Sequence, residues 1–173
     1  MNFENAGLQD SIDQIDQCFK AIINASTMAD LFHRGSALYH DRSTREADHL
    51  RGCLFSKCRP LPREAVQYLV EELEFGTNPY TLAAAADSAR DVGILPFGID
   101  RIAFRAIQRI RRNDAIVTLY TATGEPRKTT PVTELLLLLR RIAGAGIDIE
   151  STIESIGLEL AQEQREILQG RGL

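Results

Sequence analysis

The chain has 173 residues, of which 44% are apolar and 25% charged, and it carries a formal charge of −4. That length suits one globular domain burying roughly 70% of the surface its unfolded chain exposes. The acidic balance argues against a general nucleic-acid binder, which is normally basic, and the absence of an apolar run of ~18 residues argues against a membrane span. The first residues are polar and acidic, so no secretory leader is expected. Cys18, Cys53 and Cys58 are too few and too unevenly spaced for a disulfide framework, which points to a reducing cytoplasm. Helix formers dominate and Trp is absent, favouring a helical protein.

In chain order, Leu8, Ile12, Ile15, Phe19 and Ile22 recur at helical spacing, predicting an amphipathic helix over about 8–24. Ser26 or Thr27 can cap a second helix through Met28, Leu31 and Phe32. Ser43 and Glu46 stand as in a capping box and start a third helix, which runs through Cys53 and Leu54 and ends before Pro60. Two short helices follow back to back between Leu61 and Gly93. Pro62 opens the first and Gly76 is expected to end it in a left-handed turn. Asn78-Pro79 reads as a cap followed by a first-turn proline, and Gly93 as a stop. Val66, Leu69, Val70 and Leu73 form one apolar stripe; Leu82, Ala83, Ala86, Ala89 and Val92 form a narrower one. Helical hairpins of this kind cannot hide their apolar faces alone and stack on neighbours.

A sixth helix is predicted from Ile99 to near Asn113. Ala115–Tyr120 has strand-like residues, but with no second such run to pair with it, 114–130 is expected to be a connector. Thr130-Pro131 repeats the cap-then-proline pattern. Leu135–Leu139 is apolar on every side and predicts an enclosed seventh helix, ended by Gly144 and Gly146. Asp148 can cap an eighth, with Ile149, Ile153, Ile156, Leu160 and Ile167 on its apolar face. Eight helices with short links predict an all-α, HEAT-like helical-repeat stack of about four helix pairs, a single domain over 1–173, with a compact irregular bundle as the alternative.

DRSTREADHLRG, QYLVEELE, NPYTLAAAADSARD, RNDAIV and TTPVTELL stand in this order between residues 41 and 146. In order the series resembles the HEAT-like α-helical modules of certain bacterial proteins, whose segments read GRS-x-x-E-x-x-RLRG, PYVLEELE, DPY-x-x-AAAARALRG, RDD-x-V and PTTAL. Some modules of that type are fused to SCO-like redox domains. No such domain exists in this chain, and Cys53 and Cys58 do not form the CxxxC pair such a domain uses. The resemblance implies an accessory or interaction module and implies no activity; residues 147–173, the C-terminal helix, lie outside it.

Arg101, Arg105, Arg109 and Arg112 fall within about 80° of one another on the sixth predicted helix. Four guanidinium groups in line suit a carboxylate-rich peptide, a phosphate or a nucleic-acid backbone. A solvated face, or pairing with Glu64, Glu71, Glu72 or Glu74 from the adjacent hairpin, is the ordinary explanation for such a stripe. Tyr80, Phe97 and Phe104 are candidate apolar anchors, with Phe104 off the expected core side and preferred as the exposed one. His49 and Cys53 stand four apart on one helical face and are the weak metal candidates, beside His33, His40, Asp48 and Cys58 nearby. Cys58 lies about 140° around the helix from Cys53, and buried Cys with surface His is the ordinary alternative. No nucleophile elbow, HExxH or phosphate-cradling loop is present, and Tyr39, His40 and Asp41 are too close in sequence to converge on a substrate, so no catalytic residue and no cofactor is assigned.

The function expected is therefore a non-catalytic protein-interaction module presenting a helical face to a partner protein or peptide, with an acidic partner suiting the arginines. The alternatives are a ligand- or metal-binding accessory subunit of an enzyme and a self-associating subunit, with a homodimer through the C-terminal helix.

Overall fold

A computed structural model describes residues 45–57, 61, 63–120 and 125–143, with Ser151 and Glu154 as single exposed helical positions. The helices expected over 8–24, beyond Thr27 and, apart from Ser151 and Glu154, beyond Asp148 lie outside the described residues, as do His33, His40, Cys58 and the capping residue Ser43. Five helices and one hairpin are described: α1 (Arg45–Lys57), α2 (Val66–Phe75), α3 (Pro79–Ala89), α4 (Ile99–Ile110), β1 (Val117–Tyr120), β2 (Pro126–Thr129) and α5 (Pro131–Ala143). Short 3₁₀ turns precede α2 (Arg63–Ala65) and follow α4 (Arg111–Asn113).

Helix α3 is central. It packs against α1, α2, α5 and β1, while α4 packs on α2 and α5. The sequence pattern predicted a narrow apolar stripe for α3. Instead Thr81 through Ala89 are all buried, including Asp87 and Ser88. Alanine is what permits this, because small side chains let helices close in from several directions at once. A methyl group at Gly52 of α1 would come within 2.2 Å of Tyr80 Cε1, so the glycine sets the spacing of α1 and α3.

The capping expectations at α3 and α5 hold. The Asn78 side chain accepts from the Thr81 backbone N–H at 3.1 Å, with Pro79 in the first turn. Thr130 Oγ1 accepts from the Thr133 N–H at 3.1 Å, and Asp114 Oδ1 accepts from the Val132 N–H at 2.8 Å. Val132 through Leu139 are all buried, as their apolar run requires.

Two expectations at the links between elements are corrected. Gly76 leaves α2 with φ −61° and ψ 138°, extended rather than left-handed. A Cβ there would lie 2.4 Å from the Glu72 carbonyl oxygen, so the residue is glycine for lack of space. Gly98, just before α4, is the left-handed position instead, at φ 82°. The segment 114–130 is not a plain connector. Val117–Tyr120 pairs antiparallel with Pro126–Thr129, in the register Val117↔Thr129 to Tyr120↔Pro126. The second strand escaped the sequence reading because its proline stands at the first position and its body, Arg127-Lys128-Thr129, has little apolar content. Its pairing is supported from below: Leu119 and Thr129 are buried, with β1 against α3 and α1. The described fold is thus mostly helical with one small two-stranded sheet.

Candidate functional site

Helix α4 positions most of the residues singled out above. Gly98 admits the chain, Asp100 sits in the first turn and Arg109 in the last, each on the side its charge favours in the helix dipole. Ile99, Ala103, Ala106, Ile107 and Ile110 are buried against α2 and α5. The opposite face carries Arg101, Arg105 and Gln108, continued by Arg111 and Arg112 in the 3₁₀ turn, all exposed. Five arginines and one aspartate lie between Ile99 and Asn113 in a chain whose overall charge is negative.

The four predicted arginines are not equivalent. Arg109 turns inward: its Nε donates to the Gly76 carbonyl at 2.9 Å and its Nη2 to the Leu73 carbonyl at 2.8 Å. It therefore closes the C-terminal end of α2, where carbonyls lack helical partners. Partial burial lowers its pKa, with Glu72 pulling the other way. Arg105 Nη2 lies 3.6 Å from Glu74 Oε1, with both side chains well exposed, a pair of small energetic weight. Arg101 and Arg112 are exposed and have no carboxylate within ion-pair distance among the described residues. Phe104, the preferred exposed anchor, is half-buried and packs against the core, as does Tyr80. Phe97 is the anchor left wholly outside, at 101% exposure.

The loop 92–98 that leads into α4 separates two clefts. Both share Val92, Gly93, Leu95 and Pro96. One, of about 340 Å³, continues to Phe97, Asp100, Arg141 and Ile142. The other, of about 600 Å³, continues to Leu61, Arg63, Val66, Gln67 and Ile94. Ile94 is 90% exposed. Sequence reading named Val92, Gly93 and Phe97 here but missed Ile94 and the clefts, because the loop has no periodicity.

Sequence reading also missed two polar clusters inside the fold. Arg51 of α1, 1% exposed, faces Glu72 of α2 at 3.7 Å and pairs with Asp48 one turn back on its own helix. Asp48 is itself tied to α3, because its carboxylate accepts from Asn78 Nδ2 at 3.3 Å and its carbonyl from Thr81 Oγ1 at 2.7 Å. The second cluster gathers Asp87, Arg90, Arg127 and Glu134. Arg90 donates to Glu134 Oε2 at 2.8 Å and also pairs with Asp87. Arg127 donates to Glu134 Oε1 at 2.9 Å and pairs with Asp87 Oδ2 at 2.8 Å; Thr129 adds a hydroxyl donor to Glu134. Burial pushes the Glu134 carboxyl up to about 7, against the pull of Arg90 and Arg127. With both carboxyls ionised, Asp87 and Glu134 balance the two guanidiniums, and the cluster pins β2 to α3 and α5.

Of the weak metal candidates, Cys53 is buried and its Sγ lies 3.4 Å from Tyr80 Oη. Burial and this neighbour push the Tyr80 phenol upward, so it stays protonated. The side chain of His49 lies outside the described ones. Among the described residues no three His, Cys, Asp or Glu side chains converge as a metal would need, and no helix is long and apolar enough to cross a membrane. Compared with known proteins, the chain matches no family model, no curated protein and no solved structure.

Proposed function

We propose that this chain is a non-catalytic interaction module whose arginine-lined α4 face receives an acidic segment of a partner protein. The observation that carries the reading is the one-sided charge of α4. Arg101, Arg105, Arg111 and Arg112 point outward together, while Arg109 alone of the five closes a neighbouring helix. Arginine forks hold carboxylates in charge-assisted pairs, and Phe97, one turn before Arg101, supplies an apolar anchor beside them.

A HEAT-like stack is the architecture we infer for the support of this face. Its basis is an alternation: α1, α3 and α5 touch in series, and α2 touches α4, so successive helices fall into two rows. The hairpin would then replace the simple link between the last two. A reducing cytoplasm suits the buried free thiol of Cys53.

The test is fluorescence anisotropy on the full chain with a fluorescein-labelled amphipathic peptide of Glu and Leu. Binding that weakens with salt, and at least about tenfold in R101E/R105E/R112E, is the expected result. Affinity unchanged in that folded variant overturns the reading. A DNA or RNA oligonucleotide that displaces the peptide with a steep salt dependence would assign the face to phosphate instead.

A further inference from the structure

Loop 92–98 is held at Val92, at Leu95 and by the following Ile99, with exposed apolar side chains in between. Val92 and Ile99 are buried and Leu95 is half-buried, while Ile94 and Phe97 stand 90% and 101% exposed. Ile94 and the apolar walls of the cleft beside it form a patch of the kind that marks association sites, while Phe97 stands exposed beside the other cleft. The larger cleft, about 600 Å³, runs beside Ile94, with Leu61, Val66 and Val92 among its walls. Among the described residues lining it, Arg63 is the one charged side chain, and it is exposed.

We propose that this cleft seats an apolar side chain of the partner beside a carboxylate held by Arg63, so that loop 92–98 selects for apolar-acidic sequence. The occupant follows from complementarity: apolar walls exclude a purely polar acidic segment, and a lone guanidinium favours an adjoining Asp or Glu over a Lys. The cleft deepens the reading of this chain as an interaction module and rests on it. The α4 face attracts acidic segments in general, whereas the cleft distinguishes among them.

Three fluorescein-labelled peptides probe the full chain: alternating Leu-Asp, alternating Ser-Asp and alternating Leu-Lys. The Leu-Asp peptide should bind at least about tenfold more tightly than Ser-Asp. Ile94→Asp should remove that preference. Arg63→Glu should weaken Leu-Asp binding and strengthen Leu-Lys binding, a reversal that a general loss of fold cannot give. Both positions are on the surface, and unchanged urea unfolding curves would verify that the variants fold.

Equal binding of Leu-Asp and Ser-Asp overturns the cleft assignment. So does Leu-Asp binding that falls in R101E/R105E/R112E but not in Ile94→Asp or Arg63→Glu; in that case the α4 face stands and the cleft does not. The converse pattern keeps the cleft and removes the α4 face. Sedimentation showing a dimer that Ile94→Asp dissociates would give the patch to a second copy of this chain and overturn the proposal.

Discussion

Arginine serves this molecule in two ways, and the contrast lies between its interior and its α4 face. Arg51, Arg90 and Arg127 meet carboxylates inside the fold: Glu72 and Asp48 in one cluster, Asp87 and Glu134 in the other. Arg101, Arg105, Arg111 and Arg112 are spread over an exposed helix whose described neighbours offer them little beyond Glu74. Inside, each guanidinium joins elements distant in sequence and balances a charge that water no longer reaches. Outside, the same group keeps its hydration and its freedom, and is available to another molecule. The difference comes from what lies opposite each side chain.

The sharpest way to break this comparison is to remove an interior arginine. Arg51→Ala removes the buried guanidinium that faces Glu72 and pairs with Asp48, and should cost about 3–5 kcal/mol in urea unfolding. A loss below about 1 kcal/mol would put Arg51 in the same class as the surface arginines.

Next in size is the pH response of Glu134. Its folded pKa, about 7, lies above the ordinary carboxyl value of 4.5, so the folded state holds the proton more tightly than the unfolded one. Its contribution is fully present below the ordinary value, is lost as pH rises toward about 7, and is flat above that. The loss amounts to no more than about 3 kcal/mol. In Glu134→Gln that component of the slope should vanish, which parallel unfolding curves from pH 4 to 8 would reveal. An unchanged slope would move the titration to another group.

The smallest effects sharpen the comparison within α4 itself. Arg109→Ala removes two hydrogen bonds to α2 carbonyls and should destabilise by about 1–2 kcal/mol. Arg105→Ala, four residues earlier, should stay within about 0.5 kcal/mol, because its pair with Glu74 is exposed. Equal losses at the two positions would erase the distinction between the inward and outward arginines.

Spacing alone could not draw that distinction. The spacing of positions 101, 105, 109 and 112 groups them around one helical axis, although Arg112 falls in the 3₁₀ turn after α4 and Arg109 turns inward. Periodicity gives direction around an axis but not what another helix brings opposite it, and the open carbonyls of Leu73 and Gly76 lie at the C-terminal end of α2 and just past it. The same limit explains Phe104, which lies off the main apolar stripe yet packs against the core. What was legible was local: the caps at Asn78 and Thr130, the helix starts at Pro79 and Pro131, and the enclosed leucine run. Each depends on residues within one turn of one another. The hairpin and the two buried charge clusters depend on pairing across the chain, and a strand reading Pro-Arg-Lys-Thr announces nothing before its partner is known. Gly76 shows a third kind of miss, where the residue type was read correctly and its reason was not.

The burial of α3 has a consequence for how the domain opens. Every side chain from Thr81 to Ala89 is shielded by neighbours on several sides, so no single element can peel away and bare this helix. Its backbone amides should exchange with deuterated solvent at the pace of complete unfolding, while those of loop 92–98 exchange through small local excursions. A helix made largely of alanine, among the least conspicuous stretches chemically, thereby becomes the gauge of the whole domain's resistance to unfolding.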